Sequence, residues 1–251
     1  MDEIKSYIFG FLIADGSLLL YSRNRGRISI ELNKKDSDII YKIANFLPNS
    51  KIRFRKRNTN FKNNYETIIL ANFQKNVRDK FINAGFPISE KTNYATIPKE
   101  KFSESDFWRG VFDGDGSIGF TNNEEPFISL ITASDSLKQE LCDLLLTKFN
   151  IHKNVNRNKR DNVYNVTLKN EDAIKFCDFL YNNAQIFLQR KFDNYNAMKK
   201  WKRKKKKQTK NSWSKQEFDY IKSHYIEDSI IALNRTRSSI KAKLFRMKNK
   251  R

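Results

Sequence analysis

One ten-residue segment occurs twice in this chain, 100 residues apart. Residues 8–17 read Ile-Phe-Gly-Phe-Leu-Ile-Ala-Asp-Gly-Ser, and residues 108–117 read Trp-Arg-Gly-Val-Phe-Asp-Gly-Asp-Gly-Ser. A repeat at a fixed offset means that one supersecondary unit is used twice, so any fold must accommodate two copies of it. Each copy reads as an apolar helix ending in a small residue, Asp, Gly and Ser. The glycine after each Asp is expected to stop the helix in a left-handed conformation, which glycine enters cheaply.

The flanks repeat as well. After the first copy, strand-like alternation covers residues 17–23 and 27–33, followed by a helix over 38–47, strands at 51–57 and 65–72, and a helix over 74–84. After the second copy, strands are expected at 117–121 and 127–132, a helix from 135 to 148, strands at 152–158 and 162–169, and a helix over 171–182. Each half therefore runs α-β-β-α-β-β-α. A further helix is expected over 190–201. The fold class is α+β, with halves at 1–100 and 101–201.

The chain has 251 residues, and 39% hydrophobic content suits a packed core rather than wholesale disorder. No stretch approaches a membrane span, and the acidic start Met1-Asp2-Glu3 is no secretory signal. Met1 reads as a true start, without an intein junction. Cys142 and Cys177 are too few for a disulfide framework and read as reduced core thiols. The net charge is +21. It is concentrated in residues 199–251, which hold 19 Lys/Arg against four Asp/Glu, whereas residues 1–198 hold 30 against 24. Such a tail suits a polyanion, and nucleic acid leads. Residues 202–211 form a basic linker. Residues 212–251 read as three short helices: one capped by Ser212 with Trp213, Phe218 and Ile221 as core, one over 228–233, and one from Thr236 with Ile240, Leu244 and Met247 on a face. A basic last helix after two others is a helix-turn-helix pattern.

Gly10 and Ala14 lie four apart in the first helix, as do Gly110 and Gly114 in the second. Small residues at that spacing make a flat stripe through which two backbones approach closely. Packed in this way, the helices bring Asp15 and Asp115 side by side. Two carboxylates at two helix C-termini repel each other and oppose both dipoles. A hard divalent cation offsets that cost and is common in phosphate chemistry, so the pattern points to metal-assisted phosphodiester hydrolysis.

These paired segments resemble the motifs of single-chain LAGLIDADG homing endonucleases over about residues 1–200. The first copy departs from the family where an earlier acid is common: Ile13 stands there, against Asp113 in the second copy. The resemblance implies tandem αββαββα repeats forming a pseudo-twofold saddle of two antiparallel sheets on double-stranded DNA. It implies that Asp15 and Asp115 bind Mg²⁺, with Mn²⁺ or Ca²⁺ able to substitute, and that the backbone carbonyls of Ala14 and Gly114 add ligands. It places a basic residue near each site, matched by Lys91 and Lys191, to polarise water or stabilise the phosphorane. Each site would cut one strand of a long, loosely palindromic target, leaving short 3′ overhangs.

A two-stranded ribbon fits the major groove, where all four base pairs are distinguishable. Arg27, Ser29, Glu31 and Asn33 alternate with apolar residues, as do Arg53, Arg55 and Arg57; the second half offers Thr121, Asn154, Asn156, Asn158, Asn165, Thr167 and Lys169. From the tail, Arg235, Arg237, Ser238, Ser239, Lys241 and Lys243 surround the start of the last helix, a common docking geometry. Two alternatives stand beside the nuclease: an intron-encoded maturase that binds host intron RNA, and a DNA-binding regulator without catalysis. His152 and His224 are the only histidines, which leaves little material for a zinc site. Both halves in one chain point to a monomer, in a bacterial cytoplasm or nucleoid, phage-encoded or in an organelle matrix.

Overall fold

The computed structural model describes residues 1–58, 64–88, 91–203 and 212–248. Two compact units result, the first spanning Met1–Arg203. Most of the basic linker expected at 202–211 lies outside the described residues.

The first half of that unit runs α1 (Glu3–Asp15), β1 (Gly16–Leu20), β2 (Gly26–Asn33), α2 (Ser37–Ala44), β3 (Lys51–Arg57), β4 (Tyr65–Asn72), α3 (Lys75–Asn83) and the single turn α4 (Lys91–Tyr94). The second runs α5 (Glu104–Gly114), β5 (Gly116–Phe120), β6 (Pro126–Thr132), α6 (Asp135–Phe149), β7 (Tyr164–Lys169), α7 (Asn170–Tyr181) and α8 (Gln189–Lys199). Both sheets are antiparallel, ordered β1-β2-β4-β3 and β5-β6-β7. The repeat extends to register: Gly16, Ser17 and Leu18 oppose Ile30, Ser29 and Ile28, while Gly116, Ser117 and Ile118 oppose Leu130, Ser129 and Ile128.

Alternation sorts the side chains. Ile28, Ile30, Ile68 and Leu70 face inward onto Ile39, Ile40 and Ile43 of α2; Ile128, Leu130, Val166 and Leu168 face Leu141, Leu145 and Phe176 of α6 and α7. One continuous core joins the halves, and each buried branched side chain contributes roughly 1.5–3 kcal/mol. Polar ties also cross between them. Ser134 caps α6 by accepting from the Leu137 amide and donates to the Ala95 carbonyl at 2.6 Å. Arg190 donates to the buried Asp36 at 2.8 Å.

The strand expected at 152–158 does not form. These residues alternate in burial, but their amides make no ladder with β7, and the Lys153 ammonium instead donates to the Thr167 carbonyl at 2.8 Å. The second sheet therefore has three strands. Both cysteines are buried free thiols.

The second unit contains α9 (Lys215–Ser223), α10 (Ile226–Leu233) and α11 (Arg237–Lys248). The cap of α9 is Ser214, not Ser212: its hydroxyl accepts from the Glu217 amide while Glu217 accepts from the Ser214 amide. The Glu three residues after Ser214 makes this reciprocal box, and Ser212 has no such partner. Ile221 and Ile240 are buried between the helices. Among the described residues, no helix is long and apolar enough to cross a membrane.

Candidate active site and nucleic-acid face

From Ser6 to Ala14, every residue of α1 is buried, as expected of a helix apolar on all sides. Its partner is α5, and the glycines set the distance. A methyl group on Gly10 would lie 2.0 Å from the Phe107 carbonyl oxygen, and one on Gly110 would lie 2.1 Å from that of Tyr7. The contacts are reciprocal, each three residues upstream of the opposing glycine. On Gly114 a methyl would meet the Ala14 Cβ at 2.3 Å and Asp15 Oδ2 at 3.3 Å. The stripe thus brings the acid of one helix against the end of the other.

The expectation of left-handed stops is corrected. Gly16 is extended, with φ −82° and ψ 165°, and Gly85 is the positive-φ glycine among the described residues. Glycine is needed at 16 and 116 because the chain turns straight from helix into strand. A Cβ there would lie 2.5–2.6 Å from Leu12 and 2.6 Å from the Phe112 carbonyl oxygen.

Each lysine returns to its own helix end. Lys91 Nζ donates to the carbonyls of Ala14 and Gly16, the latter at 2.6 Å, with Leu12 at 3.4 Å. Lys191 Nζ donates to Phe112 at 2.6 Å, Asp113 and Gly116 at 2.7 Å, and Gly114 at 3.2 Å. Helix C-termini leave carbonyls without partners and carry partial negative charge, and an ammonium answers both. The lysines therefore hold the same Ala14 and Gly114 carbonyls that the resemblance assigns to metal.

Burial first, and then the Asp115 charge, push the Asp15 carboxyl up to about 6. Burial also raises Asp115, against the two lysines that favour its ionised form. The same burial lowers Lys91 and brings Lys191 down to about 8. Lys191 is buried, Asp15 and Lys91 are half-buried, and Asp115 is exposed.

The registers place Arg27, Ser29, Glu31 and Asn33 of β2 on one face with Thr67 and Ile69 of β4 and with Lys51, Arg53, Arg55 and Arg57 of β3. Glu31 accepts from Thr67 Oγ1 at 2.8 Å and lies 3.9 and 3.7 Å from Arg55 and Arg57. In the second sheet Asn165, Thr167 and Lys169 share the outward face with Ser129, and Thr121 sits in the β5–β6 turn. Asn154, Asn156 and Asn158 are exposed along the unpaired 152–158 segment.

Two family models match the chain: a LAGLIDADG-like domain over residues 103–180 and the LAGLIDADG-like domain of WhiA over residues 4–74. The chain carries two LAGLIDADG-like domains. Solved LAGLIDADG structures share the fold. The homing endonuclease I-GzeII in complex with its DNA target matches at TM-score 0.51 and 13% identity, over 78% of this chain and 88% of that one. I-WcaI bound to its recognition sequence matches at 0.59 and 16%, over 77% and 85%. A variant of I-SmaMI matches at 0.51 and 15%, over 78% and 89%. No curated protein matches.

Neither family match reaches the C-terminal unit. There, two expected contacts point inward: Arg235 pairs with Glu217 at 2.8 Å and lies over the Trp213 ring, and Lys243 lies 3.9 Å from the Phe218 ring centroid. Arg237 pairs with Glu227, while Ser238 and Lys241 are exposed and Ser239 is half-buried. The sequence reading missed Ile131, which stands opposite Asn165 on the outward LAGLIDADG sheet face and is 54% exposed. Its signal was the alternation itself, since Phe127, Ser129 and Ile131 share a parity. The reading also gave no role to Asp113 beyond its place in the motif.

Proposed function

We propose that this chain is a double-strand DNA endonuclease of homing type. The observation that carries the reading is the pair Asp15 and Asp115, brought to one end of two helices locked by reciprocal glycine contacts, with a sheet bearing outward polar residues in each half. A divalent cation bound between them would offset the mutual repulsion of the two carboxylates and the unfavourable helix dipoles.

The donor set suits a hard divalent ion such as Mg²⁺. Asp15 and Asp115 would hold it, and when bound it would lower the barrier to water attack on a phosphodiester. No group of three or more His, Cys, Asp or Glu ligands occurs among the described residues, and further oxygen ligands would have to come from outside that set. Ala14 and Gly114 can contribute carbonyls by sharing them with the lysines, since a carbonyl has two lone pairs. Lys91 and Lys191 fix the helix ends and place positive charge beside the phosphate. The polar residues of both sheet faces read bases in the major groove, Arg favouring guanine and Asn adenine. Arg237, Ser238, Ser239 and Lys241 extend the contact from the tail as a helix-turn-helix-like unit.

A second reading, sequence-specific DNA binding without cleavage, draws support from the WhiA model matched by the first half. Selection of cleaved and bound fragments from a duplex library separates the two. Wild type and Asp15→Asn/Asp115→Asn are run with Mg²⁺ and with EDTA. Metal-dependent cleavage at one long site, lost in the double variant, supports the nuclease. Recovery of a bound, uncut site supports the regulator, and recovery of neither removes both.

A further inference from the structure

We propose that Asp113 is a positioning residue for Lys191 and that it makes the two halves of the active site unequal. The effect on cleavage rests on the endonuclease reading; the positioning rests on geometry alone.

The Asp113 side chain is buried and accepts three hydrogen bonds: from Tyr7 Oη at 2.7 Å, Tyr181 Oη at 2.6 Å and the Leu188 amide at 2.8 Å. Leu188 is the residue at which α8 begins, and no side chain of its own caps that helix. Its carbonyl accepts from the Lys191 amide at 3.1 Å, and the Lys191 ammonium reaches back to the Asp113 carbonyl at 2.7 Å. The result is a closed ring. The Asp113 carboxylate holds the start of α8, the first turn of α8 holds Lys191, and Lys191 holds the Asp113 backbone. A lysine side chain has four rotatable bonds and no shape of its own, so fixing the backbone one turn away limits where its ammonium can go.

The first half cannot build this ring. The residue 100 positions before Asp113 is Ile13, whose side chain has no acceptor, and Ile88 stands in the place of Leu188. Lys91 opens the four-residue helix α4 rather than lying in an eleven-residue helix such as α8. Its ammonium finds the corresponding carbonyls, but among the described residues no carboxylate clamps its backbone.

The test uses the full chain and the target recovered above, with strand-resolved cleavage kinetics. Lys191→Met and Lys91→Met identify which strand depends on which half. Asp113→Asn is expected to slow the Lys191-dependent strand by about tenfold relative to the other, so that nicked DNA accumulates. Leu188→Pro deletes the amide donated to Asp113, at a φ of −78° that proline tolerates, and also trims a buried leucine side chain; it is expected to slow the same strand, with Tm measured alongside. Asp106→Asn removes a buried acid at the opposite end of α5; it lowers Tm without altering the strand ratio. A readout independent of activity is the side-chain ammonium resonance of each lysine. Asp113→Asn shifts that of Lys191 and leaves that of Lys91. An unchanged strand ratio in both variants, or an unmoved Lys191 resonance, overturns the proposal. If wild type cuts neither strand, the endonuclease reading fails and the resonance alone decides the positioning.

Discussion

Asp15 sits where an anion is least favoured: at a helix C-terminus, withdrawn from water, beside a second carboxylate. Its carboxyl, pushed up to about 6, ties the charge to stability. A group raised in the folded state adds stability below its ordinary range, near pH 4, and that stability is lost as pH rises through 6. Without divalent metal at pH 8, Asp15→Asn should therefore be more stable than wild type by up to ~3 kcal/mol. At pH 4 the gain should vanish. Urea titrations in EDTA at both pH values check this, and equal stability at pH 8 would mean that the lysines already compensate the charge. Adding Mg²⁺ should stabilise wild type selectively, because only the folded wild type offers both carboxylates. Asp15 and Asp115 stand out in the sequence because a fixed offset of 100 carries one onto the other, whereas Lys91 and Lys191 were named through the family resemblance. Asp113 was legible only as a motif acid. Its meaning depends on Tyr7 and Tyr181, 106 and 68 residues away, which spacing cannot bring together.

Helices α1 and α5 meet through backbone rather than side chains, which makes their glycines unforgiving. Gly110→Ala gains up to about 1 kcal/mol of helix propensity but drives a methyl into the Tyr7 carbonyl, which belongs to a buried helix and cannot yield. Overpacking of this kind costs ~1–3 kcal/mol or more, so the net effect should be a lower Tm by thermal unfolding. Gly119→Ala is the control. Its nearest neighbours to an added methyl are the Phe127 ring at 3.8 Å and the Asn194 amide at 3.9 Å, so the change should be small. The strand expected at 152–158 shows the limit of pattern reading at this scale. Alternation reports which side chains turn inward; it does not report whether the amides find a ladder. Similarly, the inward turn of Arg235 and Lys243 depends on Trp213 and Phe218. Residue type alone marked all four without showing their contact.

Across the whole molecule, charge is divided unevenly between a mildly basic body and a strongly basic tail. Each phosphate contact contributes a slope of about −0.9 to the logarithmic salt dependence of duplex binding. Removal of residues 204–251 should therefore weaken binding and flatten that slope, as measured by titrations from low to physiological salt. An unchanged slope would confine DNA contact to the LAGLIDADG body. The reciprocal glycine joint has a different consequence. Gly10 rests on the carbonyl of position 107, and Gly110 on that of position 7, so the glycine contacts do not record which half is which. What distinguishes the halves lies outside it, in Asp113 with its two tyrosines and in the Arg190–Asp36 tie. A half released from its tether would carry glycine contacts that match its own copy, so the Asp113–Tyr7 and Arg190–Asp36 ties, together with covalent linkage, are what favour the unlike pair.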